Sequence, residues 1–459
     1  MTPAPSLDFG AVERLLGRVV AAGRTGGPAQ LPLADLARRL RGLPVGGAVL
    51  LALPNGPDLL AALFALLRVG AVPVPISPSA PAARIDDIAG RLGAVARIAP
   101  LVAAPPGARV RTLGPHAQLL TLPDRSVRYG PGQLILMTSG TSGIASGCLH
   151  SVDALLRNAA RHCAAIGHRP GDRVLVTLPL HYSYALVAQA FAALLQESTL
   201  VISGPPFTAR AYRDTIRAHG VTLSSLTPSS VRLLAADGEL RLPRVLRTLA
   251  VGGDALPPVH AERLLAGNPE LELYLTYGLT EAGPRVSTLA AHREPDRLAS
   301  VGRPLPGVGV TLHRERPGDA TGELVVETDT ALLRRVGAGS GGRGEPVPGG
   351  IRTGDLFEID PAGYLYFRGR LSDFIVVHGE KVALASVRAA AERLPGVVGA
   401  TTRVRPAGDS AAFDLTVVVA GRAVPTPGEV RRQLRRVLLR AEQPDRIDVH
   451  AVSAAGWHK

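Results

Sequence analysis

The sequence predicts an α/β protein, and three observations carry that prediction. Amphipathic helical stretches alternate with short apolar strands through the first 290 residues. After about residue 295 the pattern becomes one of short strands between turns. From about Arg370 a smaller α+β unit follows. Strand–helix–strand units repeated at this length imply parallel sheets covered by helices, because a parallel connection must cross back over the sheet face. At 459 residues the chain exceeds what one hydrophobic core usually supports, so more than one domain is expected.

Taken in order, residues 58–68 and 82–92 carry a helical period, with a strand-like run at 71–76 between them. Residues 133–137 read as a strand. Stretches 174–178 and 199–202 read as buried strands flanking a helix at 185–195, and 221–226 and 247–251 continue the series. Segments 309–312, 322–327 and 356–359 are short strands suited to a small barrel or antiparallel sheet. The Gly-rich stretch 337–350 between them reads as a mobile surface loop. The last unit is expected to run strand 374–377, helix 384–393, strand 413–419 and helix 427–440. No internal repeat recurs at a fixed period.

Composition excludes several classes. The apolar run 59–72 is too short to span a membrane, and residues 1–16 contain acidic side chains and no apolar signal core. Cys148 and Cys163 are the two cysteines, too few for a disulfide framework or a cysteine-rich metal site. A cytoplasmic protein without a membrane partner is expected. The net charge of +13 invites a nucleic-acid reading, but arginines are scattered through apolar helices and aromatic residues are only 4%. Nucleic-acid surfaces pair clustered charge with stacking residues, so no such partner is expected. Of 51 Lys and Arg residues, only Lys381 and Lys459 are lysines.

Residues Thr138-Ser139-Gly140-Thr141-Ser142-Gly143-Ile144-Ala145-Ser146-Gly147 form the most informative loop. Its glycines let backbone N–H groups approach an anion, and its hydroxyls can donate to phosphate oxygens. It follows a strand, which is where α/β proteins hold phosphates. It is not a Walker loop, since no Gly-Lys-Ser/Thr ends it. A plain Gly/Ser surface loop would have the same composition.

Further motifs follow in order. They are Leu178-Pro179-Leu180-His181, Val251-Gly252-Gly253-Asp254-Ala255 and Thr276-Tyr277-Gly278-Leu279-Thr280-Glu281. After them come Arg352-Thr353-Gly354-Asp355, Gly369-Arg370-Leu371-Ser372-Asp373 and Gly379-Glu380-Lys381. With Gly70-Ala71-Val72-Pro73-Val74-Pro75 near the start, the set resembles the adenylate-forming superfamily of acyl- and aryl-CoA ligases, peptide-synthetase adenylation domains and luciferases. Each motif alone is weak; their order is specific.

The resemblance implies an N-terminal ATP- and substrate-binding domain over 1–370, with two parallel-sheet α/β subdomains and a small β-barrel, and a mobile α+β domain over 371–459. It implies an AMP-forming ligase that uses ATP and Mg²⁺ to activate an aryl or acyl carboxylic acid as its adenylate. Transfer to CoA, a phosphopantetheinyl carrier protein or an amine would follow. Thr138, Ser139, Gly140, Thr141, Ser142 and Gly143 would hold phosphates, and Tyr277, Gly278 and Gly253 would line the adenine site. Asp355 would accept from the ribose hydroxyls and Arg370 would stand beside ribose and phosphates. Thr280 would approach the α-phosphate, and Glu281 would hold the metal, as a hard cation requires. His181, Tyr182 and Gly252 would border the acid. Each has an ordinary alternative: a core tyrosine, a helix-capping Thr-Glu pair, a turn aspartate, a surface arginine or a half-buried histidine.

Departures from the family pattern are specific. Ser372 stands at the interdomain hinge, where Asp or Lys is usual. Ala145-Ser146 replaces the loop's usual Pro-Lys, and Val376 replaces the lysine after the hinge. The C-terminal Gly-Lys becomes Gly456-Trp457-His458-Lys459, so Lys459 is expected to take the catalytic role only if shifted into place. No aspartate stands in 180–185, where amino-acid-selecting relatives often keep one. The aromatic run Tyr182-Ser183-Tyr184 and the ligase-like Gly147-Cys148-Leu149-His150 favour an aryl or other non-amino acid. Two other readings stay open: ATP-dependent activation of nitrite with transfer to an arylamine, and a nucleotide-binding member that has lost catalysis.

Overall fold

A computed structural model describes residues 5–23, 32–101, 109–122, 129–138, 146–204, 207–238, 240–337, 346–347, 349–371, 374–377, 380–407, 410–420, 424–438 and 440–452. The largest sheet has eight strands. In spatial order they are Val19–Ala22, Thr199–Ser203, Arg173–Val176, Leu223–Leu226, Thr248–Gly252, Glu272–Gly278, Arg285–Ala290 and Arg303–Pro304. The first six are parallel and the last two antiparallel. After supplying the edge strand Val19–Ala22, the chain re-enters at Arg173–Val176, steps outward to Thr199–Ser203, then returns to the other side at Leu223–Leu226. That reversal opens a crevice beyond the carboxyl ends of the strands, where α/β proteins bind ligands.

A second sheet of five strands is mixed. Ala48–Leu51 pairs in parallel with Val72–Pro75 and Ala96–Ala99, but Arg109–Gly114 and Ala117–Thr121 add an antiparallel edge. The sequence supports the parallel part because those strands are apolar apart from Arg97; the edge strand Arg109–Gly114 is exposed and charged, which hides it from an apolar-run search. The helix Pro57–Arg68, with Pro57 at its first turn, fills the space beside this sheet, and ten of its residues are buried. One continuous core joins that helix to Val152–Ala165 and the helical run 183–195.

A third, antiparallel sheet orders Arg334–Val336, Ser146–Ser151 and Gln133–Thr138. A fourth, also antiparallel, comprises Val308–His313, Thr321–Thr328, Gly350–Ile359, Pro346–Val347 and Leu365–Arg370. The expected 337–350 loop is therefore bordered by Val336 and interrupted by the short strand Pro346–Val347; residues 338–345 and 348 lie outside the described residues.

Beyond Leu371 come the hairpin Phe374–Val377/Glu380–Ala383 and the helix Leu384–Glu392. The strands Val397–Ala407, Ser410–Val419 and Arg446–Ala451 and the helix Pro427–Leu434 complete this part. Its buried residues, from Val377 to Ile447, form a separate core. The expected 427–440 helix stops at Leu434, its start fixed by a reciprocal Thr426–Glu429 capping box. The expected helix at 185–195 includes a π-helical stretch, Leu186–Phe191. Among the described residues no helix is long and apolar enough to cross a membrane.

Candidate active site

The carboxyl ends of the central strands set out the site. Asn55, just past the strand Ala48–Leu51, donates to the Leu178 carbonyl (2.8 Å) and accepts from the Leu180 N–H (2.8 Å). This clamp fixes the turn carrying His181 and starts the helical run at Ser183. Ser183 and Thr280 share a hydroxyl–hydroxyl hydrogen bond of 2.8 Å, which ties that run to the turn after Glu272–Gly278. Gly252 ends the strand Thr248–Gly252 and Gly253 follows it. A Cβ on Gly252 would collide with the Thr276 hydroxyl, and one on Gly278 would collide with the Pro284 carbonyl oxygen. Both glycines are therefore demanded by close approach of backbone and side chain.

Tyr277, Asp355 and Arg370 are brought together from three strands. The Tyr277 hydroxyl donates to Asp355 Oδ2 at 2.7 Å, and Arg370 Nε lies 3.1 Å from Asp355 Oδ1. Asp355 and Arg370 are direct register partners across the antiparallel pair Gly350–Ile359/Leu365–Arg370. Behind them Glu323, itself buried, accepts from the Gly354 N–H (2.9 Å) and pairs with Arg352, while Thr353 Oγ1 donates to the Leu324 carbonyl (2.8 Å). The Arg352–Asp355 turn is thus held by buried hydrogen bonds. Phe357 meets the Tyr277 ring edge-on at 4.8 Å. Burial, with the neighbouring Asp355 charge, pushes the Tyr277 phenol well above its usual range, so it stays protonated and donates. A carboxylate has about four acceptor positions, so one side chain can accept from several donors at once.

Glu281 and the ends of the 138–147 loop meet through a residue that the motifs did not identify. Arg335 forms an ion pair with Glu281 and donates to Ser146 Oγ at 3.1 Å. Ser146 in turn bonds the Thr138 hydroxyl at 3.0 Å, so both ends of the loop converge on one guanidinium. Arg335 reaches this point because Arg334–Val336 pairs with Ser146–Ser151, placing Arg335 opposite Cys148. Nothing in its local sequence marks it; the contact spans 189 residues and exists only through strand pairing.

Glu281, already paired with Arg335, is the carboxylate at this point, and among the described residues no group of three or more His, Cys, Asp or Glu could hold a metal by itself. One carboxylate beside phosphate oxygens suits Mg²⁺, which keeps several waters and takes few protein ligands. The donor set fits a nucleotide-bound magnesium ion.

The His181 and Tyr182 rings lie 4.4 Å apart, with Tyr182 exposed, whereas Tyr184 is buried. The Arg285 guanidinium lies over the Tyr184 ring, 4.6 Å from its centroid. Arg285 belongs to none of the sequence motifs, and its strand Arg285–Ala290 contains Ser287 and Thr288, so no uniformly apolar run sets its charge apart. Ser139, Gly140, Thr141, Ser142, Gly143, Ser372, Gly379 and Lys459 lie outside the described residues. Lys381 sits in the strand Glu380–Ala383, opposite Val376.

A family model described as AMP-binding enzyme matches residues 33–333. Sulfoacetate–CoA ligase of Cupriavidus necator is 30% identical over 275 residues, 58% of this chain and 53% of that protein. The chain therefore matches about half the length of that relative. L-proline–[L-prolyl-carrier protein] ligase of Pseudomonas fluorescens is 27% identical over 391 residues, 79% of this chain and 77% of that protein. Among solved structures, the o-succinylbenzoate CoA synthetase of Bacillus subtilis, in complex with its acyl-adenylate intermediate, superposes with a TM-score of 0.75. It shares 19% identity over 95% of this chain and 94% of that one. Amide bond synthetase McbA from Marinactinospora thermotolerans gives 0.72 at 23% identity, over 97% and 96%. At these identities the structures establish the fold.

Proposed function

Because the chain belongs to the AMP-binding enzyme family, we propose that it is an AMP-forming ligase that activates an aryl or acyl carboxylic acid with ATP. The acyl-adenylate then passes to CoA, a carrier-protein thiol or an amine. The observation that carries this reading is a pair of contact clusters, Tyr277 with Asp355 and Arg370, and Glu281 with Arg335 and the loop ends Thr138 and Ser146, joined by the short segment 277–281. Sulfoacetate, proline and fatty acids in the names of relatives agree on the class of reaction and differ in the acid.

In this reading Asp355 orients the ribose, with Tyr277 and Arg370 holding its carboxylate in place. The phosphate chain lies along the 138–147 loop, toward Thr280. Arg335 supplies the fixed cation that the loop lacks: its guanidinium already bonds Ser146, the position where relatives carry lysine. Glu281 would hold magnesium, which when bound neutralises phosphate charge. The acid's carboxylate oxygen attacks the α-phosphorus and pyrophosphate leaves. Arg335 and the loop hydroxyls stabilise the charge that accumulates on the departing oxygens. Lys459 is proposed to reach the reacting carboxylate when the 371–459 domain closes by rotation about Ser372.

The test is ATP–pyrophosphate exchange and AMP release with a panel of aryl, acyl and amino acids, and with nitrite plus an arylamine. Acid-dependent exchange followed by thioester or amide formation is expected. Exchange dependent on nitrite alone, or ATP binding without turnover on the whole panel, would overturn the reading.

A further inference from the structure

Arg285 is 2% exposed and stands first among the largest fully buried side chains. Its backbone is locked on both sides by Asn158, which accepts from the Arg285 N–H and donates to its carbonyl, each at 2.9 Å. The side chain is therefore delivered from a fixed point. It runs between Tyr184, with Cζ 4.6 Å from the ring centroid, and Gly252, where a Cβ would lie 3.4 Å from Nη2. Those two residues belong to the segments that wall the acid side of the crevice. Ser183, next to Tyr184, bonds Thr280 and marks the reacting end.

Neither Nε nor Nη2 of Arg285 has a hydrogen-bond partner among the described residues, and no carboxylate forms an ion pair with it there. A guanidinium does not surrender its proton, so this is a permanent charge in a low-dielectric enclosure. Buried charges in native proteins are normally paired. The Tyr184 π-face offsets part of the charge, but a quadrupole is no substitute for an anion. The neighbours are equally poised: the Tyr184 hydroxyl and both ring nitrogens of His162 are buried without partners among the described residues. His162 stands one turn after Asn158 on Val152–Ala165. Burial, and then the Arg285 charge, holds its imidazole neutral, so it can donate one hydrogen bond without adding charge.

We propose that Arg285 is the specificity-determining residue of the acid pocket, and that the substrate carries a second anionic group, carboxylate or sulfonate, at the end remote from the carboxylate that is activated. This rests on the ligase reading above and narrows its substrate class. The reacting carboxylate lies by Thr280, and the second anion takes the free Nε and Nη2 edge of Arg285, with His162 and Tyr184 able to donate to the same group. Guanidinium and oxyanion match as a planar two-pronged pair, a geometry that lysine lacks.

The experiment uses acid pairs of matched shape: succinate and butyrate, glutarate and pentanoate, terephthalate and 4-methylbenzoate, with 4-sulfobenzoate to separate carboxylate from sulfonate. Pyrophosphate exchange gives kcat/KM for the wild-type chain, Arg285→Leu and Arg285→Lys. Calorimetric binding of each acid is measured alongside, and needs no turnover. The wild type should favour the dianionic member of at least one pair by about a hundredfold or more, because a site built to pair a polar group rejects the analogue lacking it. Arg285→Leu should collapse or invert that ratio, and Arg285→Lys should recover it only partly. Thermal melting of Arg285→Leu should be no lower than wild type, because the variant removes an uncompensated buried charge. The proposal fails if monoanionic acids are bound or activated as well as dianionic ones. It also fails if Arg285→Leu loses all acids in equal proportion, which would place Arg285 on the reacting carboxylate. Exchange with neither class would refute the ligase reading, and the binding ratios would still decide the role of Arg285.

Discussion

Asp355 and Arg335 show how single side chains gain meaning from their partners. Asp355 is buried and already bonded by Tyr277 and Arg370, so an Asn at this position keeps the shape and loses the charge. Hydrogen bonds to a charged acceptor contribute about 1.5–3 kcal/mol. Asp355→Asn should therefore raise the KM for ATP roughly ten- to a hundredfold, read by pyrophosphate exchange. An unchanged KM would remove Asp355 from the nucleoside site. Arg335→Gln should weaken ATP binding by about tenfold and leave Glu281 without its ion-pair partner. Adding Ser146→Lys to Arg335→Gln returns a cation to the same point from the loop side, and should restore most of the affinity. If the double variant stays as weak as the single one, the charge at this position is not what Arg335 provides.

Individual elements carry the next level of consequence. The helix Pro228–Ala236 bears Arg232, a buried arginine that joins the two parts of the chain. Its Nε donates to the Val398 carbonyl at 2.7 Å, and its Nη2 lies 3.3 Å from Glu392. Removing one partner of a largely buried pair costs several kcal/mol at full burial, and Glu392 is partly open, so about 2 kcal/mol is expected. Arg232→Ala should accordingly speed backbone hydrogen exchange in Leu384–Glu392 and Val397–Ala407 while sparing the eight-stranded sheet. Exchange that rises everywhere, or nowhere, would show that this contact does not hold the C-terminal part. If domain rotation accompanies catalysis, Arg232 is a contact that must break during each cycle.

For the whole molecule, buried neutral histidines set a pH dependence. Burial pushes His150 down to about 4, partly offset by the Thr280 backbone, and it also pushes His168 down to about 4. His162 is held well below its usual range. In the unfolded chain these imidazoles titrate near 6.5, so between about pH 6.5 and 4 the unfolded state binds more protons than the folded state. Stability is then fully present above about pH 6.5 and is lost as pH falls through that window, by about 3 kcal/mol for each group shifted this far. Urea unfolding at pH 7 and pH 5 should show a lower midpoint at pH 5. Equal midpoints would mean that these histidines are solvated. Burial alone would raise the Asp172 carboxyl, but hydrogen bonds from the Arg169 backbone, Thr222 and Arg247 together with the Arg247 charge outweigh it and hold the carboxyl below its usual range, so its contribution is lost only at lower pH.

Much of this was legible before any coordinates. Period and apolar runs located the helices Pro57–Arg68 and Ala82–Leu92 and the central parallel strands, because packing against a sheet leaves a local imprint on composition. The motifs around Thr280, Asp355 and Arg370 were recognisable because each needs particular residue types within a few positions. What local sequence could not show was pairing over distance. The exposed edge strand Arg109–Gly114 carries no apolar imprint, and the long strand Val397–Ala407 is broken up by Thr401, Thr402, Arg403 and Arg405. Arg335 is an unremarkable arginine until its strand lies beside Ser146–Ser151, and Arg285 is one charge in a strand until Tyr184 and Gly252 enclose it. Sequence by itself determined the fold class, the family and the nucleotide motifs, since those depend on residues close together in the chain. Tertiary structure alone decided that Arg335 meets Glu281 and Ser146 and that Arg285 lies over Tyr184, because electrostatic partnership depends on distance and burial, and both are properties of the folded chain.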